Sequence, residues 1–188
     1  MKILIDIDDV LNNLCETWCE TLNERYGTTV GYQDVTEWDI SKFFPELTKD
    51  QVFEPLHEPE LWSRVKPKEG TVECVKKMID DGHEVYLCTS TDYRNIQHKY
   101  VNFVQKYFPF IDWKHVIVIG KKQLIKADFL IDDYVNNLVG GLYVKLLMSA
   151  PHNLSYPAEK NEMFRVESLE DAYDFIKAVE RYTEKNLT

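Results

Sequence analysis

The chain has 188 residues, enough for one α/β domain with an insertion and short for two full domains. Hydrophobic residues make up 44% and charged residues 29%, the balance of a folded soluble protein. The net charge of −10 argues against a wide basic face for duplex nucleic acid, and no apolar run approaches membrane-spanning length. The N-terminus carries no signal-peptide pattern, so the expected setting is cytoplasmic, with neither nucleic acid nor a membrane as partner. Small anions remain accessible to an acidic protein, because surface charge is screened beyond about 8 Å at physiological salt. Cys15, Cys19, Cys74 and Cys88 form no C-x-x-C pair and read as reduced, mostly buried thiols. The histidines are scattered and show no metal-ligand spacing.

The first element is a short apolar run, Ile3 to Ile5, which ends in Asp6, Asp8 and Asp9. Continuous apolar residues suit a strand buried on both faces of a parallel sheet. From Val10 to Tyr26 apolar residues recur at Leu11, Leu14, Trp18 and Leu22, an amphipathic helix stopped by Gly27. Residues 28 to 68 hold short aromatic-rich pieces punctuated by Pro45, Pro55, Pro59 and Pro67, with no strand of sheet length. Residues 13–68 are therefore expected to form a small helical insertion, a cap, over a core built from 1–12 and 69–188. Helical spacing returns at Val72, Val75, Met78 and Ile79, and Glu84 to Cys88 is the second strand. Asp92 is an N-cap candidate for a helix carrying Tyr93, Ile96, Tyr100, Val104 and Phe108. Val116–Ile119, Phe129–Ile131 and Leu142–Met148 supply three more strands. Ser168 with Asp171 resembles a capping box opening a last helix, and the polar tail after Tyr182 is expected to fray.

Alternating strands and helices imply a Rossmann-like parallel sheet flanked by helices. Right-handed crossovers then gather every strand's carboxyl end along one edge. Polar residues fall at those ends: Asp6 and Asp8, then Thr89 and Ser90, then Lys121 and Lys122, then Asp132 and Asp133. Asp6 and Asp8 share one side of an extended chain, and like charges held that close call for a cation or a shared proton. A carboxylate can attack a phosphoryl group once Mg²⁺ offsets the repulsion, with a lysine and hydroxyls on the phosphate oxygens. A second acid must then serve the leaving oxygen and the incoming water.

With these residues in place, the sequence resembles the haloacid dehalogenase superfamily of phosphohydrolases. Asp6-Ile7-Asp8-Asp9-Val10-Leu11 is similar to its first motif, Leu87-Cys88-Thr89-Ser90 to its second, Lys122 to its third and Ile131-Asp132-Asp133 to its fourth. Within it the chain looks most like the 5'(3')-deoxyribonucleotidases, which share the Cys-Thr-Ser run, the lysine before Leu-Ile-Asp-Asp, and a late Pro-x-Asn, here Pro151-His152-Asn153. The resemblance implies Mg²⁺-dependent hydrolysis of (deoxy)ribonucleoside monophosphates through an aspartyl-phosphate. It makes Asp6 the nucleophile and a metal ligand. It makes Asp8 the general acid and base, with its backbone carbonyl on the metal. It puts Asp133 on the metal and Asp132 behind it. Thr89, Ser90 and Lys122 would bind the phosphate, and cap aromatics, Trp38 and Trp62 among them, would stack on the base.

Plainer readings stand beside these. Asp9 and Asp132 fit turn or cap residues as well, and Trp38 and Trp62 fit packing residues. Lys121 and Lys126 read as solvated, and His152 as a surface-loop residue with Asn153 the better site candidate. The rival functions are a phosphatase of the same chemistry for another small ester, and a phosphate-binding module without turnover. A homodimer is the common default for a chain whose sequence is silent on assembly.

Overall fold

The computed structural model describes residues 1–187. Six parallel strands form one sheet in the order β3-β2-β1-β4-β5-β6. They are β1 (Lys2–Ile5), β2 (Glu84–Thr89), β3 (Val116–Val118), β4 (Phe129–Asp132), β5 (Val144–Met148) and β6 (Met163–Val166). The chain thus starts mid-sheet, runs outward to β3, and returns to lay β4 on the other side of β1. That reversal between β1 and β4 makes a crevice at their carboxyl ends, the usual ligand position in open α/β sheets.

Register explains why this crevice is polar. Ile5 lies level with Leu87 on one side and Ile131 on the other. The residues that follow, Asp6, Cys88-Thr89 and Asp132-Asp133, therefore lie side by side at the carboxyl ends of the three strands. The Asp6 N–H still donates to the Ile131 carbonyl at 2.9 Å, which holds the two tips together.

Side-chain alternation divides the core in two. Ile3, Ile5, Leu87 and Ile131 face the larger cluster, with residues of α4 (Thr71–Asp80) and α8 (Leu169–Leu187). Leu4, Cys88, Leu130 and Leu147 face a smaller one, covered by the short α7 (Val135–Leu138) and by loops. The flanking is thus unequal, because the steps from β4 to β5 and β6 are too short for long helices. The strand β6 was not among the expected ones: Met163-Phe164-Arg165-Val166 mixes polar and apolar residues, as an edge strand does. The last helix reaches Leu187, so the tail expected to fray past Tyr182 is helical. Ser168 Oγ accepts from the Asp171 N–H at 3.0 Å as a cap should, while the Asp171 carboxylate turns to Glu167 N instead of closing the box.

Between β1 and α4 lie α1 (Leu14–Tyr26), α2 (Lys49–Phe53), α3 (Pro59–Arg64) and single 3-10 turns. The helix starts at Leu14 and not at Val10, because Val10 and Leu11 are used in the turn after β1. The chain leaves this turn and comes back through a narrow neck: Asn12 bridges Pro67, Asn13 N donates to Lys66 O at 3.1 Å, and Lys68 N to Leu11 O at 2.9 Å. The Trp18 indole ties α1 to α2 by donating to Val52 O at 2.7 Å. Among the described residues no helix is long and apolar enough to cross a membrane.

Ile5 is fully buried in the central strand. Ile5→Ala should lower unfolding free energy by about 2–5 kcal/mol, the cost of an unfilled core cavity. Urea titration would check this, and a loss under about 1 kcal/mol would contradict the packing described.

Candidate active site

The turn after β1 is built by three side chains. Asp9 has a φ of 56°, a left-handed conformation that aspartate tolerates better than most residues. Its N–H meets Asn12 Oδ1 at 3.1 Å, and its carboxylate accepts from Cys15 N at 3.1 Å. Lys68 Nζ donates to the Asp9 carbonyl. Asp9 is thus the turn and cap residue of the plainer reading.

Asp6 projects inward beside Lys122, whose ammonium donates to Asp6 Oδ1 and, at 2.6 Å, to Asp132 Oδ2. Lys122 and Asp132 are fully buried. Asp132 Oδ1 also accepts from Tyr134 N at 2.9 Å and Asn137 Nδ2 at 3.1 Å, so it is a turn residue and a counter-ion at once. Burial works against a charged lysine, but Asp6 and Asp132 more than offset it and raise the Lys122 pKa. For Asp6 burial prevails: it lifts the carboxyl from the ordinary 3.8 to about 7, with Lys122 pulling the other way. Asp133 is raised well above 3.8 by burial, then by Asp132 and Asp6. Lys121 and Lys126 are exposed, as expected of solvated lysines.

Oxygens of Asp6, Asp132 and Asp133 lie within 4.8 Å of one another. Three buried carboxylates this close form a hard, all-oxygen donor set, which suits a small divalent cation. Asp133 is steadied from behind: Asn153 Nδ2 donates to its carbonyl at 2.8 Å and to Met148 O at 2.8 Å. His152 corrects the sequence reading. Its side chain is 11% exposed, with Nε2 3.1 Å from the Asp133 carbonyl and 3.5 Å from Oδ2. Burial holds this imidazole below its usual pKa.

Asp8 stands on the open side. Oδ1 accepts from Asn12 Nδ2 at 3.2 Å, and Oδ2 from Lys99 Nζ at 2.5 Å. Lys99 also donates to Thr89 Oγ1 at 2.8 Å. Thr89 is buried, and Ser90 is exposed on the cleft rim. Neither caps the next helix, α5 (Tyr93–Lys99); Asp92 does, accepting from Arg94 N at 2.9 Å. Asn12 and Lys99 were not singled out in the sequence. A lysine three positions after Ile96, on the apolar face of a helix, was the available signal for the second.

The carboxylates open into a cleft of about 770 Å³ whose walls include Trp18, Trp38, Phe53, His57 and Tyr134. Trp38 is 52% exposed and stacks on Tyr134 with centroids 3.8 Å apart, while His152 meets it edge-on at 5.1 Å. Trp62 is only 1% exposed, and its indole donates to Leu56 O at 2.8 Å. Trp62 thus offers a base little surface, which favours the packing reading. Phe44, also 1% exposed, is a core residue.

A parallel sheet with carboxylates at the tips of β1 and β4, a buried lysine between them and helices inserted after β1 defines a haloacid dehalogenase-like hydrolase. A haloacid dehalogenase-like hydrolase from Streptococcus pneumoniae superposes with a TM-score of 0.66 over 93% of this chain and 97% of that one, at 12% identity. Another from Deinococcus radiodurans, solved with bound phosphate and sodium, gives 0.59 over 89% and 90%, at 17% identity. Residues 1–182 match the family described as 5' nucleotidase, deoxy (pyrimidine), cytosolic type C, and the chain belongs to that family. The 5'(3')-deoxyribonucleotidase of Bacillus subtilis is 31% identical over 170 residues, covering 90% of this chain and 94% of the relative. That of Clostridium acetobutylicum is 29% identical over 153 residues, 80% and 83% respectively. The family resemblance read from the motifs is borne out.

The raised carboxyls set a pH dependence. A carboxyl whose folded pKa lies above its unfolded value contributes stability below the unfolded value, and loses it as pH rises through the folded one. For Asp6 that window runs from 3.8 to about 7. Above it Asp6 is ionised, and a cation beside it relieves its crowding with the neighbouring carboxylates most. Added Mg²⁺ should therefore raise the melting temperature more at about pH 8 than at about pH 5. An equal shift at both would contradict the cluster as a cation site.

Proposed function

We propose that the protein hydrolyses (deoxy)ribonucleoside monophosphates through an aspartyl-phosphate on Asp6. The observation that carries this is the meeting of Asp6, Asp8, Lys122 and the Asp132-Asp133 pair at one end of an aromatic-walled cleft. Family membership supports the reaction class, and the relatives named as 5'(3')-deoxyribonucleotidases support the substrate class.

In this reading an Asp6 carboxylate oxygen bonds to phosphorus as the bond from phosphorus to the nucleoside oxygen breaks. Asp8 gives its proton to that leaving oxygen. Asp8 then takes a proton from water, which attacks the acyl phosphate and frees Asp6 and inorganic phosphate. Lys122, Thr89 and Ser90 bind the phosphoryl oxygens and stabilise the charge that gathers on them. Asp6, Asp133 and the Asp8 carbonyl would hold Mg²⁺, with Asp132 behind them. When bound, that ion reduces the repulsion between carboxylate and phosphate. Residues 13–68 act as the cap, joined through the neck at Asn12 and Pro67. Trp38, exposed on the cleft wall, supplies a stacking surface for the base.

Asp6→Asn removes the nucleophile with little change in shape. It should cut hydrolysis of p-nitrophenyl phosphate by at least about 10³-fold while circular dichroism stays unchanged. Substantial residual turnover would refute the assignment. In a substrate panel, dUMP or dTMP should outcompete sugar phosphates. Indifference between them would favour a phosphatase of the same chemistry for another small ester.

A further inference from the structure

We infer that Lys99 is a positioning residue for the general acid, acting through Asp8 and Thr89. The inference rests on the reaction proposed above. Lys99 is 1% exposed, yet it lies on no ordinary ion-pair surface. Burying an ammonium is costly unless its donors are used, and an apolar residue of similar size would fill the space without that cost. Its partners account for it. Nζ donates to Asp8 Oδ2 at 2.5 Å and to Thr89 Oγ1 at 2.8 Å, and it lies 5.3 Å from the centre of the Trp62 ring.

The local backbone is bent to this placement. Lys99 ends α5, and residues Tyr100–Val104 form a π turn before the helix resumes at Gln105–Tyr107. In an α-helix, residues five apart point about 140° away from each other. The wider π turn narrows that angle, and Lys99 and Val104 both face inward, each 1% exposed. The helix thus keeps its apolar contacts and delivers a cation to the site.

Two consequences follow for the chemistry. With Lys99 on Oδ2 and Asn12 on Oδ1, the Asp8 carboxyl is fixed in orientation at both oxygens. Because Thr89 Oγ1 accepts from Lys99, its own proton is left to point toward a phosphoryl oxygen. Through its contact with Asp8, Lys99 serves the proton transfer to the leaving oxygen. Esters with a poor leaving group need that proton, and those with a good one do not.

The test compares dUMP with p-nitrophenyl phosphate in the wild type, Lys99→Met, Asp8→Asn and the double variant. Lys99→Met should lose about 10²-fold or more in kcat/KM for the nucleotide and less than about 10-fold for the aryl ester. The double variant should be no slower on dUMP than Asp8→Asn alone, since the two residues act as one unit. Equal losses on both esters, or independent losses in the double variant, would overturn the inference. Lys99→Gln, which keeps a donor for Thr89, is run beside it. If Lys99→Met fails to fold, the same split between the two esters in Lys99→Gln sustains the inference, and its absence overturns it. A wild type inactive on both esters would instead defeat the proposed reaction, and this inference with it.

Discussion

The structure turns on one buried ammonium. Lys122 sits between Asp6 and Asp132, and all three side chains are withdrawn from water. Adjacent parallel strands that end in carboxylates in the same register would repel without a cation between them. Removing such a lysine leaves unpaired charge in a medium that solvates it poorly, a loss of about 3–5 kcal/mol in comparable cases. The lysine reaches its place because the turn Lys122–Leu124 lies on the loop that crosses from the edge strand β3 back to β4. Topology and electrostatics here require each other.

Around that trio the remaining groups form graded layers. Asp133 lies beside the ammonium's partners and is steadied through its carbonyl by His152 and Asn153. Asp8 lies on the open side, held by Asn12 and Lys99. The cleft above them is walled by the inserted helices, whose contacts with the sheet domain include the stack of Trp38 on Tyr134. Tyr134 directly follows Asp133, so this contact couples the insertion to the carboxylate cluster. The neck at Asn12 and Pro67 begins three residues beyond Asp9, and Lys68 in its returning segment grips the Asp9 carbonyl. The same turn therefore anchors both the acidic residues and the insertion.

Much of this was legible in the sequence, because parallel strands write themselves as apolar runs and their tips as abrupt polar residues. Five of the six strands and the four polar clusters followed from that rule. The strand β6 did not, since Arg165 interrupts a run of only four residues at a sheet edge. Lys99 stayed hidden because a lysine on a helix is ordinarily solvated, and its spacing from Ile96 was the one hint that it points inward, where Asp8 and Thr89 meet it. His152 escaped for a related reason: its burial depends on contacts with Asp133 and Trp38, both distant in sequence. The sequence does not separate Trp38 from Trp62 either. Aromatic residues in a short helical insertion look alike in sequence, and exposure alone separates a 52% exposed ring from a 1% exposed one.

The central claim is that Asp6 carries the phosphoryl group during turnover. The most direct measurement is to quench the enzyme with acid during steady-state hydrolysis, reduce any acyl phosphate with borohydride, and sequence the N-terminal peptide by mass spectrometry. The account predicts homoserine in place of aspartate at position 6 and unmodified aspartate at position 8. Label at Asp8, or rapid turnover with no label at either residue, would contradict it.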